Sequence, residues 1–177
     1  MEAIRTGRFE LINATSEILA AETGTRSGLA DKLRAVVPES WPPESLADAF
    51  PYFRQMLDDD PGLAPWLVWY AIHVYGCERV LCGSVGFKNA PDSDGCIEIG
   101  YSIIPEYQGR GHATEIVSGL IGWAQKHPEV RCILAQTAPD NTPSIRVLEK
   151  NGFVRRKDHD GAGTIMFERI LREQDND

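Results

Sequence analysis

The segment between residues 96 and 126 constrains the fold more than any other part of the chain, because it combines three local patterns in succession. In residues 96–104, Ile97, Ile99, Tyr101 and Ile103 alternate with small or polar residues, and this period of two predicts a strand with one buried face. Pro105 ends the strand. From residue 109 to residue 126, the apolar residues recur at the spacing of one buried helix face. These helix positions are Ala113, Ile116, Val117, Leu120, Ile121 and Ala124.

The turn between the predicted strand and helix reads Gln108-Gly109-Arg110-Gly111-His112-Ala113. The first turn of a helix has backbone N–H groups without intrahelical partners, and these groups bind anions such as phosphate. Gly109 and Gly111 allow the backbone to approach a ligand closely, because glycine has no side chain. The segment therefore predicts a binding site for a phosphorylated cofactor.

Two other phosphate-binding motifs do not fit this turn. A Walker loop requires a Gly-Lys-Ser/Thr ending that contacts the β- and γ-phosphates and Mg²⁺, and no such tripeptide occurs in the chain. A dinucleotide fingerprint requires three closely spaced glycines, and the third glycine is missing here. These absences argue against a nucleotide-dependent kinase or a dehydrogenase.

The turn resembles Gln/Arg-x-x-Gly-x-Gly/Ala, the pyrophosphate-binding motif of the GNAT family of acyl-CoA-dependent N-acetyltransferases. A second segment, residues 141–153, resembles the family's Asn-x-x-Ser/Ala…Glu-Lys-x-Gly-Phe motif. The two motifs occur in the family's order and spacing, and the resemblance extends over residues 9–171. The strand sequence Ile-Gly-Tyr-Ser-Ile, together with Ser144, looks most like the RimJ/RimL branch of ribosomal-protein N-terminal acetyltransferases.

The resemblance implies an α/β protein with the GNAT fold, a mixed and mostly antiparallel sheet flanked by helices. Its predicted parallel pair, residues 96–104 and 131–137, is splayed to form a slot for pantetheine. Local patterns predict further strands at residues 8–12, 66–75, 79–87, 153–157 and 163–170. They predict helices at residues 16–23, 27–36, 44–57, 109–126 and 143–150.

Length and composition fit a single N-acetyltransferase domain over residues 1–177, with a core at about residues 8–171. No apolar run approaches the roughly 20 residues of a membrane helix, and the start lacks a signal-peptide core, so we expect a cytoplasmic protein without a membrane partner. The net charge of −8 without a Lys/Arg run argues against a nucleic-acid partner and suits a cationic acceptor.

The four cysteines lack Cys-x-x-Cys spacing. They are Cys77, Cys82, Cys96 and Cys132. We expect reduced core thiols rather than metal ligands or disulfides.

The resemblance also implies a co-substrate, acetyl-CoA, and no metal. The backbone of Tyr101, Ser102 and Ile103 would pair with the pantetheine arm, and an N–H near Ile103 would face the thioester oxygen. Asn141 would hydrogen-bond the pantetheine amides. Its alternative role is in the turn before a helix in which Thr142 is the N-cap and Pro143 the first residue. The residues implied around the pyrophosphate are Gln108, Gly109, Arg110, Gly111, His112, Ala113 and Thr114; we expect the His112 side chain to be solvated.

Acetyl transfer requires a neutral amine, stabilisation of an oxyanion and protonation of the departing thiolate. Many family members carry a tyrosine four residues before the glycine of Gly-Phe, where this chain has Leu148. By resemblance to the RimJ/RimL branch, Ser144 is the candidate acid. Glu98 is the candidate base, with a solvent-facing strand glutamate as the alternative. Asp158, His159 and Asp160 form a second candidate group for the base.

The acceptor implied by the resemblance is a primary amine, in first place a protein N-terminal α-amine of the ribosomal-protein type. The alternatives are a small-molecule amine, such as a polyamine, an amino acid or a drug, and a non-catalytic acyl-CoA-binding regulatory domain. We expect a monomer or homodimer.

The Trp41-Pro42-Pro43 turn and the aromatic residues after it either wall the acceptor site or belong to the core. Those residues are Phe50, Tyr52 and Phe53. His73 is expected to be packed or exposed rather than catalytic.

Overall fold

A computed structural model describes residues 3–156 and 163–172 of the chain. The strands are β1 Ala3–Arg5, β2 Phe9–Asn13, β3 Trp69–Tyr75, β4 Glu78–Phe87, β5 Cys96–Ile103, β6 Cys132–Thr137, β7 Val154–Arg155 and β8 Ile165–Ile170. The α-helices are α1 Ser16–Glu22, α2 Arg26–Leu33, α3 Glu44–Ala47, α4 Ala49–Asp59, α5 His112–Ala124 and α6 Thr142–Lys150. Short 3₁₀ segments lie at Pro61–Leu63 and Pro105–Tyr107.

The strands of this described part form one eight-stranded sheet in the order β1-β2-β3-β4-β5-β6-β8-β7. Its neighbouring strands are antiparallel except for β5 and β6, which are parallel. The sequence prediction of a mixed, mostly antiparallel sheet with one parallel pair flanked by helices is confirmed.

The parallel pair is joined over only part of its length. Cys96, Ile97 and Glu98 of β5 pair with Cys132, Ile133 and Leu134 of β6, and the pairing stops there. Beyond this point, β5 continues to Ile103 and β6 continues to Thr137. The two strands are therefore splayed at their carboxyl ends, as predicted.

Several element ends shift, as where α5 begins at His112 instead of residue 109, and two differences are larger. The structure adds β1, a three-residue strand that pairs with β2 and is too short to have a detectable period. The single helix predicted at residues 44–57 is divided into α3 and α4. Pro51 explains the division, because a proline lacks the N–H group that a helix interior requires. After the break at Asp48, Pro51 lies in the first turn of α4, where the backbone N–H groups have no intrahelical partner.

The Trp41 turn packs into the core. Trp41 and Phe50 are buried, with ring centroids 6.0 Å and 6.1 Å from that of Tyr70 in β3. Tyr52 is 64% exposed. Of the two roles considered for these aromatic residues, the structure assigns Trp41 and Phe50 to the core, because α4 folds back onto the sheet.

The expectation that all four cysteines are reduced is wrong for two of them, since Cys96 and Cys132 form a disulfide. The parallel register places these residues side by side with their Cα atoms 4.7 Å apart, inside the about 4.4–6.8 Å range of disulfides. Short-range spacing could not reveal a pair 36 residues apart. Cys77 and Cys82 are free thiols; burial raises the pKa of Cys82 to about 12.

Within residues 3–156 and 163–172, no helix has the length and apolar character needed to cross a membrane.

The packing at β4 yields a stability prediction. Gly86 of β4 lies opposite Gly100 of β5, yet a β-carbon at Gly86 would overlap the carbonyl oxygen of Leu67, whereas one at Gly100 would meet no atom within 4 Å. We expect Gly86→Ala to lower the free energy of unfolding by about 3 kcal/mol or more, because the obstruction is backbone. Gly100→Ala should change it by less than about 1 kcal/mol.

Urea unfolding of both variants, followed by far-UV circular dichroism, measures this difference. Equal midpoints for Gly86→Ala and Gly100→Ala would contradict the close approach of Leu67 to β4.

Candidate active site

A cavity of about 1260 Å³ opens where β5 and β6 separate. It is bordered by β5, by the turn that leads into α5, by the end of β6 and by one side of α6. Every predicted site residue within the described chain lines it, except Arg110. These residues are Glu98, Tyr101, Ser102, Ile103, Gln108, Gly109, Gly111, His112, Ala113, Thr114, Asn141 and Ser144.

The backbone of β5 presents alternate residues to this cavity. The N–H of Lys88 donates to the carbonyl of Glu98 at 2.8 Å, and the N–H of Ile104 donates to the carbonyl of Cys82 at 2.9 Å. Since hydrogen-bonding direction alternates along an antiparallel strand, the backbone groups of Tyr101 and Ile103 point away from β4, toward the slot. The backbone of Ser102 points toward β4, so its contribution to the cavity is the side chain.

The turn before α5 is bent by two glycines. Gly109 and Gly111 have φ values of 73° and 76°, a left-handed backbone that favours glycine. Gly111 is the N-cap of α5 and has no side chain to cap the first N–H groups, which are those of His112, Ala113 and Thr114. These donors border the cavity, as an anion site requires. Gln108 has a structural role, since its Nε2 donates to the carbonyl of Ile103 at 2.8 Å.

Arg8 lies beside this turn and was not identified from the sequence. Its Nη1 donates to the carbonyl of Arg110 at 3.2 Å, and its Nε is 2.7 Å from a carboxylate oxygen of Glu115. Its Nη2 would be 3.9 Å from a β-carbon at Gly111. A second cation therefore stands next to the glycine turn. Arg8 and Arg110 are 102 residues apart in the chain, so no local pattern could reveal this contact.

The side chain of His112 is buried, with only 5% of its surface exposed, and the expectation of a solvated side chain is wrong. It packs among the rings of Phe9, His73 and Tyr107, because the first residue of α5 points back toward the sheet. Burial and then Arg8 lower the pKa of His112, and the same two causes lower the pKa of His73. Both imidazoles are therefore neutral near pH 7. Of the two placements expected for His73, packed or exposed, the structure shows packing against the rings of Phe9 and Tyr107.

Asn141 begins helix α6. Its Oδ1 accepts a hydrogen bond from the backbone N–H of Ser144 at 3.2 Å, so Asn141 is the N-cap. The expected alternative, with Thr142 as the N-cap, is wrong because Thr142 is already the first helical residue. The cap uses the amide oxygen of Asn141 and leaves the amide nitrogen available at the cavity wall.

The hydroxyl of Ser144 meets a phenol from the opposite wall of the slot. The Oη of Tyr101 lies 2.8 Å from the Oγ of Ser144 and 3.2 Å from its carbonyl oxygen. Burial raises the pKa of Tyr101, and the hydrogen bond to Ser144 partly offsets this effect. The sequence predicted a role for the backbone of Tyr101, but not this side-chain contact.

Glu98 lies on the face of β5 opposite the buried Ile97 and Ile99, and its side chain reaches the cavity. Its carboxylate is 2.5 Å from the Nζ of Lys88 and is 20% exposed. The structure therefore places Glu98 in the cavity as the partner of a cation. The other candidate bases, Asp158, His159 and Asp160, lie outside the described residues.

A second groove, of about 630 Å³, continues from the glycine turn along the outer side of α5. It shares Gly111, Thr114 and Lys150 with the main cavity. Arg5 and Lys126 add positive charge along it. The slot, the glycine turn and this basic groove therefore adjoin one another along the same side of the protein.

Comparison with known proteins identifies the family. The family described as an acetyltransferase (GNAT) domain matches residues 23–154, about three quarters of the chain. An uncharacterized N-acetyltransferase of Bacillus subtilis (strain 168), YjdG, is 30% identical over 154 residues, which cover 87% of this chain and 90% of that protein. The chain belongs to the GNAT family and is an N-acetyltransferase.

Solved structures share the same fold. RimL, a ribosomal L7/L12 alpha-N-protein acetyltransferase in complex with coenzyme A, has a TM-score of 0.63 at 18% identity, covering 96% of this chain and 98% of that chain. Ribosomal-protein-S5-alanine acetyltransferase from Vibrio fischeri has a TM-score of 0.62 at 20% identity, covering 98% of both chains. These similarities establish the GNAT fold.

The geometry of the glycine turn yields a binding prediction. We expect Gly111→Val to weaken acetyl-CoA binding by about tenfold or more, because a branched side chain would occupy the space in which a phosphate meets the first N–H groups of α5. Isothermal titration calorimetry measures the affinity.

Gly76→Val is the matched control, since Gly76 also has a positive φ, 58°, with open space around it, but lies at the tip of the β3–β4 hairpin. It should have the same kind of backbone strain and retain the affinity. Wild-type affinity in Gly111→Val would mean that the pyrophosphate binds elsewhere.

Proposed function

We propose that this protein transfers the acetyl group of acetyl-CoA to a primary amine, with the reaction centred in the slot between β5 and β6. The observation that carries the proposal is the end of β5–β6 pairing after Glu98 and Leu134, directly beside the glycine turn. When bound, acetyl-CoA supplies the acetyl thioester. We further propose that residues 1–177 form one acetyltransferase domain.

The chain's own groups fit an extended phosphorylated thioester. Tyr101 directs its backbone N–H and carbonyl into the slot, where an amide-bearing arm can pair with them as an extra strand would, and Ile103 adds its N–H. The first N–H groups of α5, with Arg8 and Arg110 nearby, suit the pyrophosphate. The groove along α5 suits the nucleotide end, because Arg5, Lys126 and Lys150 supply positive charge for its remaining phosphate.

Two side chains carry the proposed proton transfers. Ser144, at the cavity wall, donates a proton to the departing sulfur. Glu98 accepts a proton from the attacking amine, directly or through water, and must release Lys88 to do so. The N–H of Ile103 is the proposed donor to the carbonyl oxygen on which negative charge develops.

A protein N-terminal α-amine is the proposed acceptor. An α-amine has a pKa of about 7.7–8.0, compared with about 10.4 for a lysine side chain, so a much larger fraction of it is neutral near pH 7. The net charge of −8 favours a cationic substrate. RimL and the Vibrio fischeri enzyme, which share the fold, are named as ribosomal-protein acetyltransferases. The proposed location is cytoplasmic, and the proposed assembly is a monomer or homodimer.

A small-molecule amine is the second candidate, and the net charge supports it equally well. The test is release of free CoA from acetyl-CoA in the presence of peptides, polyamines, amino acids and aminoglycosides. We expect turnover with peptides that have a free N-terminus and none with the same peptides acetylated at the N-terminus. Turnover confined to polyamines or aminoglycosides would select the second candidate. Acetyl-CoA binding without turnover on any amine would favour a non-catalytic acyl-CoA-binding domain.

Replacement of the proposed acid should affect turnover rather than binding. We expect Ser144→Ala to lower kcat by about 10–100-fold and to leave the affinity for acetyl-CoA unchanged, because the hydroxyl acts only as the thiolate forms. The helix cap is retained, since Asn141 accepts from the backbone N–H. Steady-state kinetics measure the effect, with Ser27→Ala in the first turn of α2 as a matched control. A wild-type kcat in Ser144→Ala would remove the serine from the mechanism.

The proposed base predicts a pH effect. Transfer should become faster as pH rises, because the neutral fraction of the amine increases. We expect Glu98→Gln to lose activity at neutral pH and to recover at alkaline pH, where the amine is already deprotonated. Lys88→Met removes the ion pair but keeps the carboxylate, so its loss should be smaller. A pH–rate profile of Glu98→Gln identical to that of the wild type would eliminate Glu98 as the base.

A further inference from the structure

The hydrogen bond between Tyr101 and Ser144 joins the two walls of the slot. Tyr101 comes from β5, Ser144 comes from the first turn of α6, and the two residues are 43 positions apart in the chain. Both line the cavity in which β5 and β6 separate. Tyr101 is thus the phenol that contacts the hydroxyl proposed above as the acid.

The direction of this hydrogen bond determines what Ser144 can donate. A serine hydroxyl has one hydrogen, and so does a phenol. If Tyr101 donates its hydrogen to the carbonyl of Ser144, at 3.2 Å, and Ser144 donates to Tyr101, no serine hydrogen remains for the cavity. If Tyr101 donates to the Oγ of Ser144, at 2.8 Å, the serine hydrogen is free to point into the cavity. The second arrangement is the one that makes Ser144 a proton donor.

We propose that the side chain of Tyr101 is a positioning residue that acts through Ser144: it orients the serine hydroxyl toward the leaving sulfur and replaces the proton that the serine gives up. This inference rests on the proposed acid role of Ser144 and extends it to a pair of residues. The backbone of Tyr101 keeps its separate role in binding the pantetheine arm.

The proton transfers that accompany departure of the sulfur balance. The C–S bond breaks and its electron pair remains on the sulfur. The Oγ–H proton of Ser144 passes to the sulfur, and the Oη–H proton of Tyr101 passes to Oγ. Tyr101 then takes a proton from water, and Glu98 returns to water the proton that it accepted from the amine nitrogen. The net change is one proton moved from nitrogen to sulfur.

The chemistry of the two hydroxyls favours this order. Tyrosine has a pKa of about 10 and is a far stronger acid than an aliphatic hydroxyl, so the phenol prevents a bare serine alkoxide from forming. Burial raises the pKa of Tyr101, which keeps the phenol protonated near neutral pH.

Tyr101→Phe tests the proposal, because it removes one oxygen and keeps the ring that packs against the core. We expect kcat to fall by about tenfold and the KM for acetyl-CoA to change by less than about twofold. The double variant Tyr101→Phe/Ser144→Ala should be no slower than Ser144→Ala, since Tyr101 acts only through the serine. The solvent deuterium isotope effect on kcat should also differ between wild type and Tyr101→Phe. Tyr75→Phe, at an exposed tyrosine of the hairpin, is the matched control.

Three outcomes would overturn the inference. A wild-type kcat in Tyr101→Phe together with a slow Ser144→Ala would leave Ser144 as the acid and remove Tyr101. Losses that add in the double variant, with an unchanged isotope effect, would reduce Tyr101 to a packing residue. A wild-type kcat in Ser144→Ala would remove both Ser144 as the acid and Tyr101 as its positioning residue. Release of CoA with the panel of amines would still test acetyl transfer itself.

Discussion

The end of backbone pairing between β5 and β6 is the constraint on which the rest of the structure depends. Buried peptide groups need hydrogen-bond partners, and an unsatisfied one costs about 1–3 kcal/mol. β5 is paired with β4 on one edge, whereas its other edge is paired with β6 only up to Glu98. The backbone groups of Tyr101 and the N–H of Ile103 on that edge are available to a ligand, whereas the carbonyl of Ile103 already accepts from Gln108. The glycine turn follows β5 and helix α6 follows β6, so both lie at the open end of the slot.

The local chemistry of the chain predicts much of this fold. The strand, turn and helix of residues 96–126 are correct because period-two and helical patterns report burial directly. The short strand β1 could not be predicted, because three residues are too few to show a hydrophobic period. The break at Asp48 also differs from the prediction, because the apolar pattern runs on across residues 44–57 and only Pro51 indicates a new helix start. The disulfide between Cys96 and Cys132 depends on strand register, which the spacing of cysteines does not encode.

In the candidate site, too, local motifs could be predicted from the sequence and long-range contacts could not. The glycine turn and Ser144 could be predicted from the sequence, because each belongs to a contiguous motif at a helix start. Long-range contacts are not visible: Arg8 reaches the turn across 102 residues, and Tyr101 meets Ser144 across 43. Burial of His112 likewise depends on Phe9 and His73, which arrive from other strands. The sequence therefore predicts candidate positions for the phosphate and the sulfur, and the structure adds the side chains that contact the predicted residues.

A crystal structure of the protein with coenzyme A tests the central claim most directly. The account predicts that the pantetheine arm lies between β5 and β6, with an amide hydrogen-bonded to the backbone of Tyr101. It also predicts the pyrophosphate at residues 109–114, and the sulfur near Ser144 and the N–H of Ile103. An arm bound outside this slot, or strands β5 and β6 paired along their full length around it, would contradict the account.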